Sequence, residues 1–297
     1  MDTLTLQSSA KVNLSLDVLG RRADGYHWVR TILQSVGLFD TLHFTRTPGD
    51  IRLHCNWAGL ATPANLCWRA AELLRAETGT TAGVSIALEK RIPLGSGLGG
   101  GSGNAAATLS ALNQLWALHL SEEALQRLAA RLGADVPFFL RGGCALAEGV
   151  GERLTPLPNG LRAWLVLVQP GFALATREVY AWWDAAGRRA ETPAPTGSAE
   201  AMIVALQSGD VGEIGRHVSN ALEAVVASRF PEITVIKTQL LECGATGATM
   251  TGTGSVVFGI FADASLAWAA ARHVQTGQRQ VFVVPTTPTS VVFVGTP

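Results

Sequence analysis

The sequence lacks the residue patterns that mark a disulfide-rich, metal-binding or membrane protein. Its four cysteines are scattered without a C-x-x-C pair, and its six histidines form no H-E-x-x-H or comparable ligand spacing, so neither a disulfide framework nor a zinc site is indicated. No apolar run reaches membrane-spanning length, and residues 1–10 alternate in polarity without a basic region or an apolar core of a signal sequence. These absences predict a reduced, cytoplasmic compartment.

The chain also has no excess of charge of either sign. Its 23 basic and 23 acidic residues give a formal net charge of zero, which removes the electrostatic case for a nucleic-acid polymer or an anionic membrane as the main partner. A small molecule is therefore the expected partner, bound by a monomer or a homodimer. The 297 residues are 47% hydrophobic, enough to bury a large core and to form two domains.

Glycine, by contrast, is concentrated in one stretch between a predicted strand at 84–89 and a predicted helix that follows it. Six glycines fall in the nine positions from Gly95 to Gly103. Glycine tolerates a positive φ and has no Cβ, so successive backbone N–H groups can face one large anion, and the helix N-terminus adds further donors. This glycine loop therefore predicts a diphosphate or triphosphate site. Its residues are Pro93, Leu94, Gly95, Ser96, Gly97, Leu98, Gly99, Gly100, Gly101, Ser102 and Gly103.

Two common nucleotide-binding motifs fit the loop poorly. The spacing of Gly95, Gly97 and Gly100 satisfies G-x-G-x-x-G, but a dinucleotide fold also needs a following strand with an acidic residue, and residues 121–132 look helical instead. No G-K-[ST] closes the loop, so the Walker pattern fails too. A flexible turn without a ligand is the remaining alternative, although such linkers seldom join a clean strand to a clean helix.

Four other side chains are candidates for function. Lys11 is one of only three lysines and lies near the start of a predicted strand, where it is either functional or incidental. Tyr26 and His27 follow a D-G turn, and they suit either a flat ligand or ordinary packing. Asp135 is surrounded by apolar residues, so it is either a helix cap or a carboxylate kept for chemistry.

The order of predicted elements is mixed, with strands before helices in each half, and an α+β fold suits it better than a doubly wound sheet. We expect separate strands at Thr3–Ser9 and Val12–Leu19, a helix at Val211–Val226 and a mobile loop at Gly187–Gly197. Prolines and glycines between 149 and 160 predict a boundary between a domain of residues 1–157 and one of residues 158–297.

Four stretches, in this order, resemble the GHMP kinase superfamily. They are A-K-V-N-L with R-A-D-G-Y-H at 10–14 and 22–27, the glycine loop continued to residue 106, G-A-D-V-P-F-F at 133–139, and T-G-T-G-S at 251–255. The resemblance covers nearly the whole chain. It implies a two-domain fold with mixed sheets and helices packed on one side, an N-terminal ATP-binding domain and a C-terminal domain that completes the substrate site.

The first and third stretches are more specific than the others. They resemble the branch of the superfamily that phosphorylates the 2-hydroxyl of methylerythritol linked to cytidine diphosphate, on the non-mevalonate route to isoprenoid precursors. The resemblance implies ATP and Mg²⁺ as cofactors, and Lys11 and Asp135 as catalytic residues. It places Asn65 near the adenine. The residues it assigns to the acceptor are Asn13, Tyr26, His27 and Tyr180, with Tyr26 and Tyr180 on either side of the cytosine.

Two positions depart from the family pattern. Ser96 stands where glycine is common, and Gly103 follows Ser102 where relatives usually have serine or alanine. Neither change removes a backbone donor. They leave the Mg²⁺ ligands unassigned rather than arguing against activity.

Other readings of the same motifs stay open. The chain could be another GHMP kinase acting on mevalonate, homoserine or a sugar, a decarboxylase on the same scaffold, or a nucleotide-binding module without catalysis. Mevalonate, homoserine and sugars carry no base that Tyr26 and His27 would bind. The presence of both Lys11 and Asp135 argues against a module without catalysis.

Overall fold

The alternating N-terminal residues form two long antiparallel strands, β1 (Thr3–Arg21) and β2 (His27–Thr47). They lie at the centre of a computed structural model that describes residues 2–157, 160–187 and 198–294. The predicted separation of Thr3–Ser9 from Val12–Leu19 is wrong, because β1 runs through both. Irregular pairing with β2 at Ser9/Ala10 and Asn13/Ser15 lets the strand bend without ending.

The strands form two sheets. The first has the order β12-β1-β2-β4-β3, with β5 also on β2, β6 on β5, and β8 on β1; the second has the order β11-β7-β10-β9 and is antiparallel throughout. The remaining strands are β3 (Ile51–Cys55), β4 (Gly83–Glu89), β5 (Cys144–Gly149), β6 (Arg153–Pro156), β7 (Trp164–Gln169), β8 (Ser219–Asn220), β9 (Gly247–Met250), β10 (Val257–Phe261), β11 (Gln280–Pro285) and β12 (Val291–Phe293).

Helices cover both sheets. They are α1 (Leu66–Thr78), α2 (Gly100–Leu115), α3 (Glu122–Leu132), α4 (Val136–Arg141), α5 (Thr176–Ala185), α6 (Ser198–Ser208), α7 (Val211–Arg216), α8 (Glu223–Ala227), α9 (Glu232–Glu242) and α10 (Ala264–Val274), with a 3₁₀ turn at Ala58–Leu60. Helices α1 to α4 pack on the first sheet around Phe44, and α8 to α10 pack on the second around Phe261. A third cluster, which includes Val12 and Phe258, lies between the sheets and joins them. The predicted α+β class is confirmed.

The two halves of the chain are interleaved. The first sheet holds the strands up to residue 156, but it also receives β12 and β8 from the C-terminal half, both paired with β1. The division into domains at residue 157 stays a prediction. Strand β1, which pairs with both halves, is therefore the natural place for a site that both halves build.

One predicted helix is broken. The span Val211–Val226 forms α7 and α8 with the short strand β8 between them. The backbone of β8 pairs with β1 instead of continuing the helix, and Asn220 Nδ2 donates to the carbonyls of Met250 (2.7 Å) and Gly252 (2.8 Å). The loop predicted at 187–197 lies outside the described residues beyond Gly187. Within the described ranges, none of the helices is both long and apolar enough to cross a bilayer.

Candidate active site

The glycine loop is docked between β1, the turn at 251–255 and the segment that leads into α5. Its carbonyls accept backbone hydrogen bonds at three points: Leu98 from Lys11 (3.0 Å), Ser96 from Val256 (3.2 Å) and Gly95 from Leu174 (3.1 Å). The loop therefore contacts both halves of the chain through its oxygens. Of the N–H groups from Gly95 to Gly99, only that of Leu98 has an acceptor among the described residues, the Ser96 hydroxyl (3.4 Å).

Most of the loop glycines are required by the protein itself. Gly97 has φ 79°, and a Cβ there would lie 2.2 Å from the Thr251 carbonyl oxygen. Gly99 has φ 73°, and its Cβ would lie 2.7 Å from the Phe139 ring. Replacing either glycine would disturb packing before it disturbed a ligand, so these positions are poor probes of nucleotide binding.

The open part of the loop is the first turn of α2. The N–H groups of Gly100, Gly101 and Ser102 have no acceptor within the described part of the chain, as expected for a helix N-terminus. Gly101 is exposed, and the nearest atom to a Cβ there would be a Leu66 methyl at 3.8 Å. Free donors, the positive end of a helix dipole and open space together make this turn a candidate anion site.

Lys11 and Asp135 meet beside this anion site. Lys11 Nζ lies 3.8 Å from Asp135 Oδ2, and the lysine is only 4% exposed. Burial lowers the pKa of Lys11, while the nearby Asp135 carboxylate opposes that shift. The two residues are 124 positions apart in sequence, so the pairing predicted by the resemblance is a product of the fold.

Asp135 directly precedes α4 but its side chain makes no capping hydrogen bond. The carboxylate is 39% exposed, so it can reach a bound molecule. The geometry therefore does not support a role for the Asp135 side chain as a helix cap. A carboxylate that is paired with a buried lysine and open to a ligand is suited to accepting a proton.

Asn13 serves mainly to hold Lys11. Its Oδ1 accepts from Lys11 Nζ (2.7 Å) and from the Thr251 hydroxyl (3.1 Å), and its Nδ2 donates to Thr31 Oγ1 (2.8 Å). All its side-chain groups thus have protein partners. Thr251 in the T-G-T-G-S turn therefore helps to orient Lys11, a role that sequence reasoning did not assign.

The three predicted base contacts separate into a stacked pair and an exposed ring. His27 is buried and stacks on Tyr180, with ring centroids 4.5 Å apart and planes 18° from parallel. Tyr26 is 65% exposed. Burial and then the Asp135 charge raise the pKa of Tyr180, so its phenol stays neutral. His27 covers one face of Tyr180, so a base can stack only on the other face, and the placement of Tyr26 and Tyr180 on either side of the cytosine stays a prediction.

Asn65 is the N-cap of α1. Its Oδ1 accepts from the Cys67 N–H (2.9 Å) and its Nδ2 donates to the Leu60 carbonyl (2.9 Å). Both groups are used within the protein. Asn65 is adjacent to Leu66, which contacts the open side of Gly101, so its role near a nucleotide stays a prediction.

Sequence reasoning missed a buried ionic cluster beneath the loop. Asp40 is fully buried and accepts hydrogen bonds from Lys90 Nζ, from the N–H groups of Arg91 (2.7 Å) and Ile92 (2.9 Å), and from Asn104 Nδ2 (3.0 Å). Lys90 and Ile92 come just before the loop and Asn104 just after it. One carboxylate thus holds both ends of the loop. The available signal was Lys90 itself, one of three lysines and close to the loop.

No cluster of three or more His, Cys, Asp or Glu side chains within the described ranges forms a metal-ligand set. Mg²⁺ does not require one, because it commonly binds one or two protein oxygens together with substrate phosphates and water. The Asp135 carboxylate and the Ser102 hydroxyl are oxygen groups of the kind that Mg²⁺ binds in this way.

Comparison with known proteins defines the class. The chain matches the family models of the GHMP kinases N terminal domain over residues 65–143 and of the GHMP kinases C terminal over residues 202–277. A homoserine kinase from Cytophaga hutchinsonii has the same fold, with a TM-score of 0.78 at 18% identity over 99% of this chain and 98% of its own. The fold is therefore that of the GHMP kinases.

Relatives with higher identity narrow the class. A 4-diphosphocytidyl-2-C-methyl-D-erythritol kinase from Pelotomaculum thermopropionicum is 45% identical over 95% of this chain and 98% of its own length, and one from Moorella thermoacetica is 44% identical over 96% and 100%. A crystal structure of 4-(cytidine 5'-diphospho)-2C-methyl-D-erythritol kinase aligns with a TM-score of 0.78 at 37% identity, over 95% of this chain and 99% of that one. The chain belongs to the 4-diphosphocytidyl-2-C-methyl-D-erythritol kinase family.

Removing the Asp40 carboxylate should unfold the region beneath the loop. Asp40→Ala leaves the Lys90 ammonium buried without a counter-charge, which we expect to lower the free energy of unfolding by about 3 to 5 kcal/mol. Urea denaturation measures this change. Asp50→Ala is the matched control, because its carboxylate pairs with Arg52 at the surface and should contribute no more than about 1 kcal/mol. Equal effects of the two substitutions would contradict the role given to Asp40.

Gly101 is the position at which a side chain tests the anion site without a clash in the protein. Gly101→Val should fold normally, fill the space over the first turn of α2, and weaken ATP binding by at least about tenfold, since phosphate needs close approach to the N–H groups. Calorimetric titration of ATP measures the loss. Gly49→Val, at a turn with no close neighbour, should bind ATP like the parent. A folded Gly101→Val protein with unchanged affinity would place the nucleotide elsewhere.

Proposed function

We propose that the protein transfers the terminal phosphoryl group of ATP to the 2-hydroxyl of 4-diphosphocytidyl-2-C-methyl-D-erythritol. The observation that carries this proposal is the Lys11–Asp135 pair. Lys11 lies against Gly99, just before the open first turn of α2, and the Asp135 charge acts on Tyr180 of the His27–Tyr180 stack. A phosphate site, a proton acceptor and a site for a flat base are thereby close together. The high identity to kinases named for this substrate supports the same conclusion.

Phosphoryl transfer requires the protein to align the phosphate donor with the acceptor hydroxyl and to compensate negative charge, rather than to form a covalent intermediate. The Asp135 carboxylate accepts the proton of the attacking hydroxyl. The Lys11 ammonium, held by Asn13, donates a hydrogen bond to that hydroxyl and stabilises the negative charge that develops. The N–H groups of the loop and of the first turn of α2 bind the phosphate oxygens of ATP.

The residues present fit ATP and Mg²⁺. The unpartnered donors of Gly100, Gly101 and Ser102 suit phosphate oxygens. Asp135 and Ser102 are the residues that would hold the metal, which when bound compensates charge on the phosphates. The backbone N–H groups hold the phosphates. The Asp135 carboxylate makes no capping hydrogen bond, so it is not occupied by the backbone of α4.

The aromatic residues favour an acceptor that carries a base. The His27 and Tyr180 rings are already 4.5 Å apart, so no base fits between them, and the exposed Tyr26 ring offers the free stacking surface. Mevalonate, homoserine and sugars have no group that would use this surface. The cytoplasmic location and the monomeric or dimeric state stay predictions.

A panel of acceptors tests the function. ATP consumption should be fastest with 4-diphosphocytidyl-2-C-methyl-D-erythritol and near background with mevalonate, homoserine and galactose. Asp135→Asn should lower kcat by about 10²- to 10⁴-fold, the usual contribution of a general base. Faster turnover with an acceptor that lacks a base would overturn the proposed substrate. Uptake of ATP without product for any acceptor would indicate a binding module.

Tyr26 tests the base site separately. Base stacking on an aromatic ring contributes about 1 to 3 kcal/mol, so Tyr26→Ala should raise the KM for the cytidine acceptor by roughly 5- to 150-fold and leave the KM for ATP nearly unchanged. Steady-state kinetics with each substrate varied measures both. Trp268→Ala, which removes another exposed aromatic ring, is the control and should behave as the parent. A Tyr26→Ala enzyme that lost ATP affinity instead would assign this ring to the nucleotide.

A further inference from the structure

The His27 ring is held on several sides by one helix. Tyr180 stacks on its face, Trp183 meets it edge to face with ring centroids 5.7 Å apart, and Asp184 Oδ1 lies 2.8 Å from its Nε2. All three residues belong to α5, whereas His27 begins β2. The second Asp184 oxygen lies 3.3 Å from Arg21 Nη1, which keeps the carboxylate turned toward this corner.

A carboxylate oxygen accepts hydrogen bonds and cannot donate them when ionised. The bond to Asp184 therefore requires the proton of a neutral His27 ring to be on Nε2. Nδ1 then keeps its lone pair and acts as a hydrogen-bond acceptor. No hydrogen bond to Nδ1 comes from the described residues, so this nitrogen is the ring atom left for a ligand.

We propose that Asp184 determines the preference for cytosine by fixing His27 as an acceptor at Nδ1. This inference rests on the proposed function, because it assumes that the acceptor carries a pyrimidine. The 4-amino group of cytosine donates a hydrogen bond to Nδ1. Uracil has a carbonyl oxygen at the same position, so a lone pair of that oxygen would face the lone pair of Nδ1. Asp184 is a positioning residue that acts through His27 and touches no substrate.

The test compares acceptors that differ only in the base. Cytidine and uridine diphosphate esters of methylerythritol are used with the parent, Asp184→Ala and Asp184→Glu. In Asp184→Ala the ring can place its proton on either nitrogen, so the ratio of kcat/KM for cytidine over uridine should fall by roughly tenfold or more, through the KM of the cytidine acceptor. The kcat at saturating cytidine acceptor and the KM for ATP should stay near those of the parent. Asp184→Glu keeps the carboxylate and should recover part of the preference.

A matched control separates this role from simple stability. Glu178→Ala removes an exposed carboxylate from the same helix and should leave the preference unchanged. If Asp184→Ala lowers the melting temperature but keeps the parental preference, Asp184 only supports the structure and the proposal is overturned. If the parent itself fails with the cytidine acceptor but phosphorylates mevalonate or homoserine, the proposed function fails first, and the two failures are distinguishable.

Discussion

The phosphate loop depends on one buried carboxylate. Asp40 accepts hydrogen bonds from Arg91 and Ile92, which precede the loop, and from Asn104, which follows it. The Lys90 ammonium compensates the charge of Asp40. A glycine-rich segment would otherwise be among the most mobile in the chain, because glycine has the largest conformational freedom to lose. Anchoring both ends with a buried, fully bonded ion pair fixes the first turn of α2 before a nucleotide arrives. The donors are thereby preorganised, which is the main requirement of phosphoryl transfer.

Strand β1 connects this loop to the rest of the site. Its backbone bonds to the loop at Leu98, its side chains place Lys11 and Asn13, and it pairs with strands from both halves of the chain. Thr251 reaches Asn13 from the second half, so the lysine is oriented by residues about 240 positions apart. The position of the proposed catalytic lysine therefore depends on the packing between the two sheets, and not on the loop alone.

Local patterns in the sequence were enough to predict the loop, the helix after it and the α+β class, because glycine spacing and strand alternation act over a few residues. Lys11 and Asp135 were also found, through motifs that lie in short stretches. The Asp40 cluster and the His27–Asp184 bond were not, since their partners lie 50 to 64 and 157 positions apart. No local signal shows that His27 covers one face of Tyr180, so that stack could not be predicted either.

The central claim is that Asp135, Lys11 and the first turn of α2 converge on one reacting hydroxyl and one phosphate chain. The most direct measurement is a crystal structure of the ternary complex with a non-hydrolysable ATP analogue and 4-diphosphocytidyl-2-C-methyl-D-erythritol. The account predicts the γ-phosphate against the N–H groups of Gly100 to Ser102, with the 2-hydroxyl of the acceptor in hydrogen-bond contact with Asp135 and Lys11. A γ-phosphate bound away from α2, or an acceptor whose nearest hydroxyl does not reach Asp135, would contradict it.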